Sequence, residues 1–114
     1  MRIGIDLERC LYGFPEFFTA FIDAMHAQGH TLLITGNHFP DKRDEDMQAI
    51  ADCGVDPAKL DFSLMPENRD NFDGPSHKAH MANQCDIVFD DFAKLNQMTG
   101  TPVFVVPANK AVDR

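Results

Sequence analysis

Short apolar runs alternate along the chain with longer stretches in which apolar residues recur at helical spacing. The first run, Ile3-Gly4-Ile5-Asp6-Leu7, has the density of a buried strand and ends among acids. A helix follows from about Pro15 to Gln28, opened by Pro15 and stopped by Gly29. Phe14, Phe17, Phe18, Phe21 and Met25 draw one apolar stripe along it, the mark of core packing rather than of a ligand pocket. The second strand is Thr31–Thr35, closed by Gly36-Asn37. A polar helix from about Asp41 to Cys53 shows Met47, Ile50, Ala51 and Cys53 on its inner face and stops at Gly54. Its acids Asp44, Glu45 and Asp46 read as a solvated face, well placed against the helix dipole. Leu60–Met65 is a weaker third strand, and Pro66–Pro75 is a loop rich in Asn, Asp, Gly and Pro. Ser76 can cap a short helix through about Gln84. Asp86–Phe89 is the fourth strand, Phe92–Met98 a short helix, Thr99–Pro102 a turn and Val103–Val106 the fifth strand, while residues 107–114 carry no pattern. Strict alternation of strand and helix predicts a three-layer α/β/α sandwich around a parallel, Rossmann-like sheet, one domain over 1–114.

Composition narrows the partners. Lys+Arg number 10 against 18 Asp+Glu, for a formal charge of −8. Binding to a nucleic-acid backbone needs clustered cations, so it is not expected, and neither is docking on an anionic membrane. No apolar run approaches the roughly 18 residues of a membrane span. The start, Met1-Arg2-Ile3-Gly4-Ile5-Asp6, lacks the apolar core of a signal peptide, so a cytoplasmic location is expected. The three cysteines, Cys10, Cys53 and Cys85, form no CxxC pair and read as small buried apolar residues.

Candidate chemistry gathers at strand ends. The first strand ends in Asp6 and Glu8, the second in Thr35 followed by Gly36 and Asn37, and the fourth in Asp90 and Asp91. Lys78 lies in the helix before the fourth strand. In open parallel sheets, ligands bind beyond the carboxyl ends of strands, where strand order reverses. Any one of these acids could instead cap the next helix. Other candidates carry less. His77 and His80 are spaced for two metal contacts but have no third ligand in sight. His26, His30 and His38 read as surface or helix-end residues, and Arg69 as a solvent-exposed loop residue. There is no G-x-G-x-x-G and no Walker loop.

The order of these groups does not fit receiver domains of two-component signalling, in which the acidic pair comes first. It resembles the haloacid dehalogenase (HAD) superfamily of phosphohydrolases, over Ile3 to about Val106. Asp6-Leu7-Glu8-Arg9-Cys10 stands where that family has D-x-D-x-T/V. Leu32-Leu33-Ile34-Thr35-Gly36 matches its second motif, Lys78 its third and Ile87-Val88-Phe89-Asp90-Asp91 its fourth.

The resemblance implies a strand order 3-2-1-4-5, with the first and fourth strands adjacent so that both acid sets share one ion. It implies that Asp6 is a nucleophile forming an aspartyl-phosphate and that Glu8 transfers protons. Mg²⁺ would be held by Asp6, by Glu8 through its backbone carbonyl, and by Asp90 and Asp91. Thr35, Gly36, Asn37 and Lys78 would receive the phosphoryl group. The substrate would be a phosphorylated small molecule or an exposed phosphate on something larger. The intervals Asp6–Thr35 and Thr35–Lys78 are filled by predicted elements, so no cap domain is expected. An open site leaves room for a homo-oligomer in which a partner subunit serves as lid. Glu8-Arg9-Cys10 departs from the family pattern. A HAD-like domain that binds a metal or phosphorylated ligand without turnover therefore stays open as the alternative, with phosphotransfer or dehalogenation behind it.

Overall fold

A computed structural model describes residues 1–70 and 72–107; Asn71 and the tail 108–114 lie outside the described residues. Five parallel strands form one sheet: β1 (Arg2–Ile5), β2 (Thr31–Ile34), β3 (Leu60–Asp61), β4 (Ile87–Asp90) and β5 (Val103–Val105). Their order is β3-β2-β1-β4-β5, the expected one. Helices α1 (Pro15–Ala27), α2 (Arg43–Cys53) and α3 (Gly74–Asn83) fill the crossovers.

Side chains alternate across the sheet with the period of two that a strand imposes. Ile3, Ile5, Leu32, Ile34 and Leu60 face one side, where Phe18 and Ile22 of α1 and Ile50 of α2 close over them. Leu33 and Val88 face the other, under Ala82 of α3 and Leu95. The result is three layers with a core on each face. Burial of Phe18, Ile22 and Ile50 contributes roughly 1.5–3 kcal/mol apiece. Gly4 is needed at the centre of β1: a Cβ there would lie 2.8 Å from Thr35 Cγ2 and 3.1 Å from both Cys85 Sγ and Val88 Cγ2. No helix among the described residues is long and apolar enough to cross a membrane.

Several elements differ from expectation. The first strand ends at Ile5, and Leu7–Leu11 is one turn of π-helix. Leu11 N–H bonds to Asp6 C=O and Tyr12 N–H to Leu7 C=O, each five residues back. Leu7 continued the strand alternation in sequence, but it is buried as part of this turn. Only Leu60–Asp61 of the third strand pairs with β2, and Asp61 Oδ1 then accepts from Ser63 N–H and turns the chain. The stretch expected as a helix over 92–98 is a 3-10 turn, Ala93–Gln97. Asp73, not Ser76, stands at the start of α3; Ser76 lies inside it and donates Oγ–H to Asp73 Oδ2. Phe17 is exposed and stacks on Phe21, because Phe18, Ile22 and Phe14 already supply the face turned to the sheet. On α2, Ala51 is exposed and Asp46 is buried, the reverse of expectation.

Candidate functional site

Strand register brings the candidate groups together. Ile5 pairs with Ile34 on one side and with Phe89 on the other. The next residues along, Asp6, Thr35 and Asp90, therefore leave the sheet side by side. Asp6 N–H still bonds Phe89 C=O, and Thr35 N–H still bonds Ile5 C=O, so both side chains are carried by continuing ladder. Asp90 is fixed from below, its Oδ1 accepting from Phe92 N–H at 2.9 Å. Lys78 arrives from α3 and donates to Asp6 Oδ1 at 3.0 Å and to Asp90 Oδ2 at 2.6 Å. Asp6, Asp90 and Thr35 are all buried.

The electrostatics are strongly one-sided. Asp6, Asp90 and Asp91 can bring carboxylate oxygens within 4.8 Å of one another. Lys78 bridges Asp6 and Asp90, and Arg9 lines the same cleft. Burial first, and the neighbouring Asp6 second, push the Asp90 carboxyl up to about 6 despite Lys78. Burial pulls the Lys78 ammonium down, but Asp6 and Asp90 outweigh it and its pKa is raised. Burial, with Asp6 behind it, also raises the Cys10 thiol, which keeps it protonated at neutral pH. Three clustered carboxylates, oxygen-only donors, suit a hard divalent cation such as Mg²⁺. The 4.8 Å spread is slightly wider than the ~4.2 Å between opposite ligands at about 2.1 Å from one such ion.

Beside the carboxylates, Thr35 Oγ1 and Asn37 Oδ1 are buried without hydrogen-bond partners. Buried polar atoms are ordinarily satisfied, so an orphan hydroxyl next to Asp6 points to a ligand oxygen. Asn37 Nδ2 donates to Gly74 C=O, which ties the end of β2 to the start of α3. A Cβ on Gly36 would lie 3.5 Å from Asp6 Oδ1, so the glycine keeps the space beside that carboxylate open. The site opens into a cleft of about 300 Å³ lined by Asp6, Glu8, Arg9, Asn37, His38, Lys78 and Asp91.

His38, expected at the surface or a helix end, lines this cleft. It is half-buried and tethered at both ring nitrogens: its Nδ1 lies 2.8 Å from both oxygens of Asp46 and its Nε2 3.1 Å from Glu8 Oε1. The Asp46 bond chiefly, with Glu8 adding to it, raises the imidazole pKa against the pull of burial. The burial of Asp46 could have been read from its spacing four residues before Ile50, on the inner face of α2. Nothing in the sequence pairs it with His38.

The other candidates stand apart from the carboxylates. Arg69 is exposed, as expected, but paired: it donates to Asp41 Oδ1 at 2.7 Å and lies 4.2 Å over the Phe39 ring. The His77 and His80 rings are 5.9 Å apart, beside a hollow of about 420 Å³, and His77 Nε2 donates to Leu64 C=O. Among the described residues, the only group of three or more metal-capable side chains is Asp6, Asp90 and Asp91. No protein-family model, no curated protein and no solved structure matches the chain.

Proposed function

We propose that the chain is a capless, HAD-like phosphohydrolase that cleaves phosphomonoesters through an aspartyl-phosphate on Asp6 and uses Mg²⁺. The observation that carries this reading is the convergence of Asp6, Thr35, Lys78 and Asp90 at the carboxyl ends of three adjacent parallel strands, with an orphan buried hydroxyl among them. Asp6, Asp90 and Asp91 would hold the cation, with the Glu8 backbone carbonyl beside them. Bound there, it supplies positive charge that lets an anionic phosphoryl group approach carboxylates.

The chain's own groups then divide the work. Lys78 neutralises the carboxylate pair and meets the phosphoryl oxygens as a point charge. The Thr35 hydroxyl donates to one of those oxygens, and Gly36 and Asn37 border the others. The Asp6 carboxylate attacks phosphorus; an Asp6 O–P bond forms as the ester P–O bond breaks. Glu8 gives its proton to the leaving oxygen. It then takes a proton from water, whose oxygen attacks phosphorus and displaces the Asp6 carboxylate as inorganic phosphate leaves.

The second reading, ligand binding without turnover, rests on Glu8-Arg9-Cys10 and on the tether of Glu8 to His38. A panel of phosphomonoesters, assayed with Mg²⁺ and with EDTA, separates the two. The phosphohydrolase reading expects phosphate release that needs Mg²⁺ and falls more than about 10³-fold in Asp6→Asn, a nearly isosteric but non-nucleophilic residue. A wild type that binds Mg²⁺ by calorimetry yet releases nothing from any ester supports the second.

A further inference from the structure

A carboxylate removed from water needs partners, and Asp46 is only 5% exposed on a helix whose neighbouring acids Asp44 and Glu45 face solvent. It has two. His38 Nδ1–H donates to both of its oxygens at 2.8 Å, and Tyr12 O–H donates to Oδ1 at 3.1 Å. The far nitrogen of the same imidazole, Nε2, meets Glu8 Oε1 at 3.1 Å. The chain of contacts Tyr12–Asp46–His38–Glu8 thus runs from a buried carboxylate to the wall of the reaction cleft, where His38 and Glu8 both stand.

A tie between the β2–α2 loop and α2 would need only the His38–Asp46 contact. The second contact holds an exposed side chain: Glu8 is 51% exposed and has three rotatable bonds. A Glu left free at a cleft wall samples several rotamers, and a displacement near 1 Å at a reacting group can cost about 10²-fold.

We propose that His38, braced by Asp46 and Tyr12, is a positioning residue that aims the Glu8 carboxyl for proton transfer. The inference rests on the phosphohydrolase reading above. With Nε2–H on Oε1, Oε2 is the oxygen that carries the proton to the leaving group and later takes one from water. His38 itself exchanges no proton in either step.

A double-mutant cycle on phosphate release from an alkyl phosphate, whose leaving group needs protonation, tests this. His38→Ala is expected to lower kcat by about 10–10²-fold with KM unchanged. His38→Gln, which can still donate to Glu8, is expected to recover most of that loss. In a Glu8→Ala background, His38→Ala is expected to cost less than about twofold more, because there is no carboxyl left to aim. Asp46→Asn keeps the shape of the brace and provides a second route should His38→Ala fold poorly; it is expected to shift kcat in the same direction, again only when Glu8 is present. An active wild type with an unaffected His38→Ala, or losses that add fully to those of Glu8→Ala, overturns the positioning role and leaves the phosphohydrolase reading standing. A wild type without Mg²⁺-dependent turnover overturns both.

Discussion

Lys78→Met keeps the length of the aliphatic stem and removes the ammonium that bridges Asp6 and Asp90. The lysine contacts lie at 3.0 and 2.6 Å. At an effective dielectric of about 20, each is worth roughly 6 kcal/mol of gross attraction. Much of this is offset by the cost of taking the ammonium out of water, since Lys78 is only 15% exposed. What the substitution leaves behind decides the net effect: two buried carboxylates facing each other unpaired. Breaking a buried pair in this way costs about 3–5 kcal/mol, or a fall in melting temperature of roughly 10–20 °C for a domain of this size.

The pH dependence carries the diagnosis. Asp90 is already raised to about 6, by burial and then by Asp6, while Lys78 holds it down. Without Lys78 it rises further. A carboxyl whose folded pKa exceeds its unfolded value contributes stability that is complete below the unfolded value, near 4, and lost as pH rises through the folded one. The Lys78→Met deficit should therefore be small in acid and grow as pH climbs past about 6. Added Mg²⁺ should recover part of it at neutral pH by binding the same carboxylates. Urea melts across pH, with and without Mg²⁺, measure all three. A deficit under ~1 kcal/mol, the worth of an exposed pair, would refute the burial argument. A full deficit that stays flat between about pH 5 and 8 would refute the electrostatic one and assign the loss to packing.

Other consequences follow from single contacts. Gly4→Ala drives a Cβ to 2.8 Å from the Thr35 methyl and should cost about 1–3 kcal/mol in urea melts; an unchanged midpoint would contradict the close packing of β1. Burial holds the Cys85 thiol up at about 11 and raises Cys10 too, so at about pH 8 both should react with a disulfide reagent far more slowly in the native protein than after unfolding. Rapid native labelling of either residue, located by peptide mapping, would contradict their burial.

The sheet was legible because its signals are local and redundant. Ile3, Ile5, Leu32, Ile34 and Val88 sit in dense apolar runs separated by helix-length intervals, and the polar residues that end three of those runs mark one edge of the sheet. The strand order follows from the resemblance, which sets the first and fourth strands side by side so that Asp6 and Asp90 can share an ion, and β1 does pair with β4. What escaped depends on tertiary partners. Leu7 fits strand alternation as well as it fits the π-turn, and only the five-residue hydrogen bonds decide between them. Asp46 shares the inner face of α2 with Ile50, but it follows two exposed acids, and the half-buried imidazole that pairs with it is brought there only by the fold. His38 gives no sequence signal because its two carboxylate partners lie 30 and 8 residues away.

The central claim is that Asp6 becomes covalently phosphorylated. Acid quenching during turnover of an aryl phosphate with Mg²⁺, followed by peptide mass mapping, reads this directly. The account predicts one added phosphoryl group on the peptide that carries Asp6, removed by hydroxylamine and absent from Asp6→Asn. Turnover with the phosphoryl group on another residue, or with none on Asp6 under conditions that stall its hydrolysis, would contradict it.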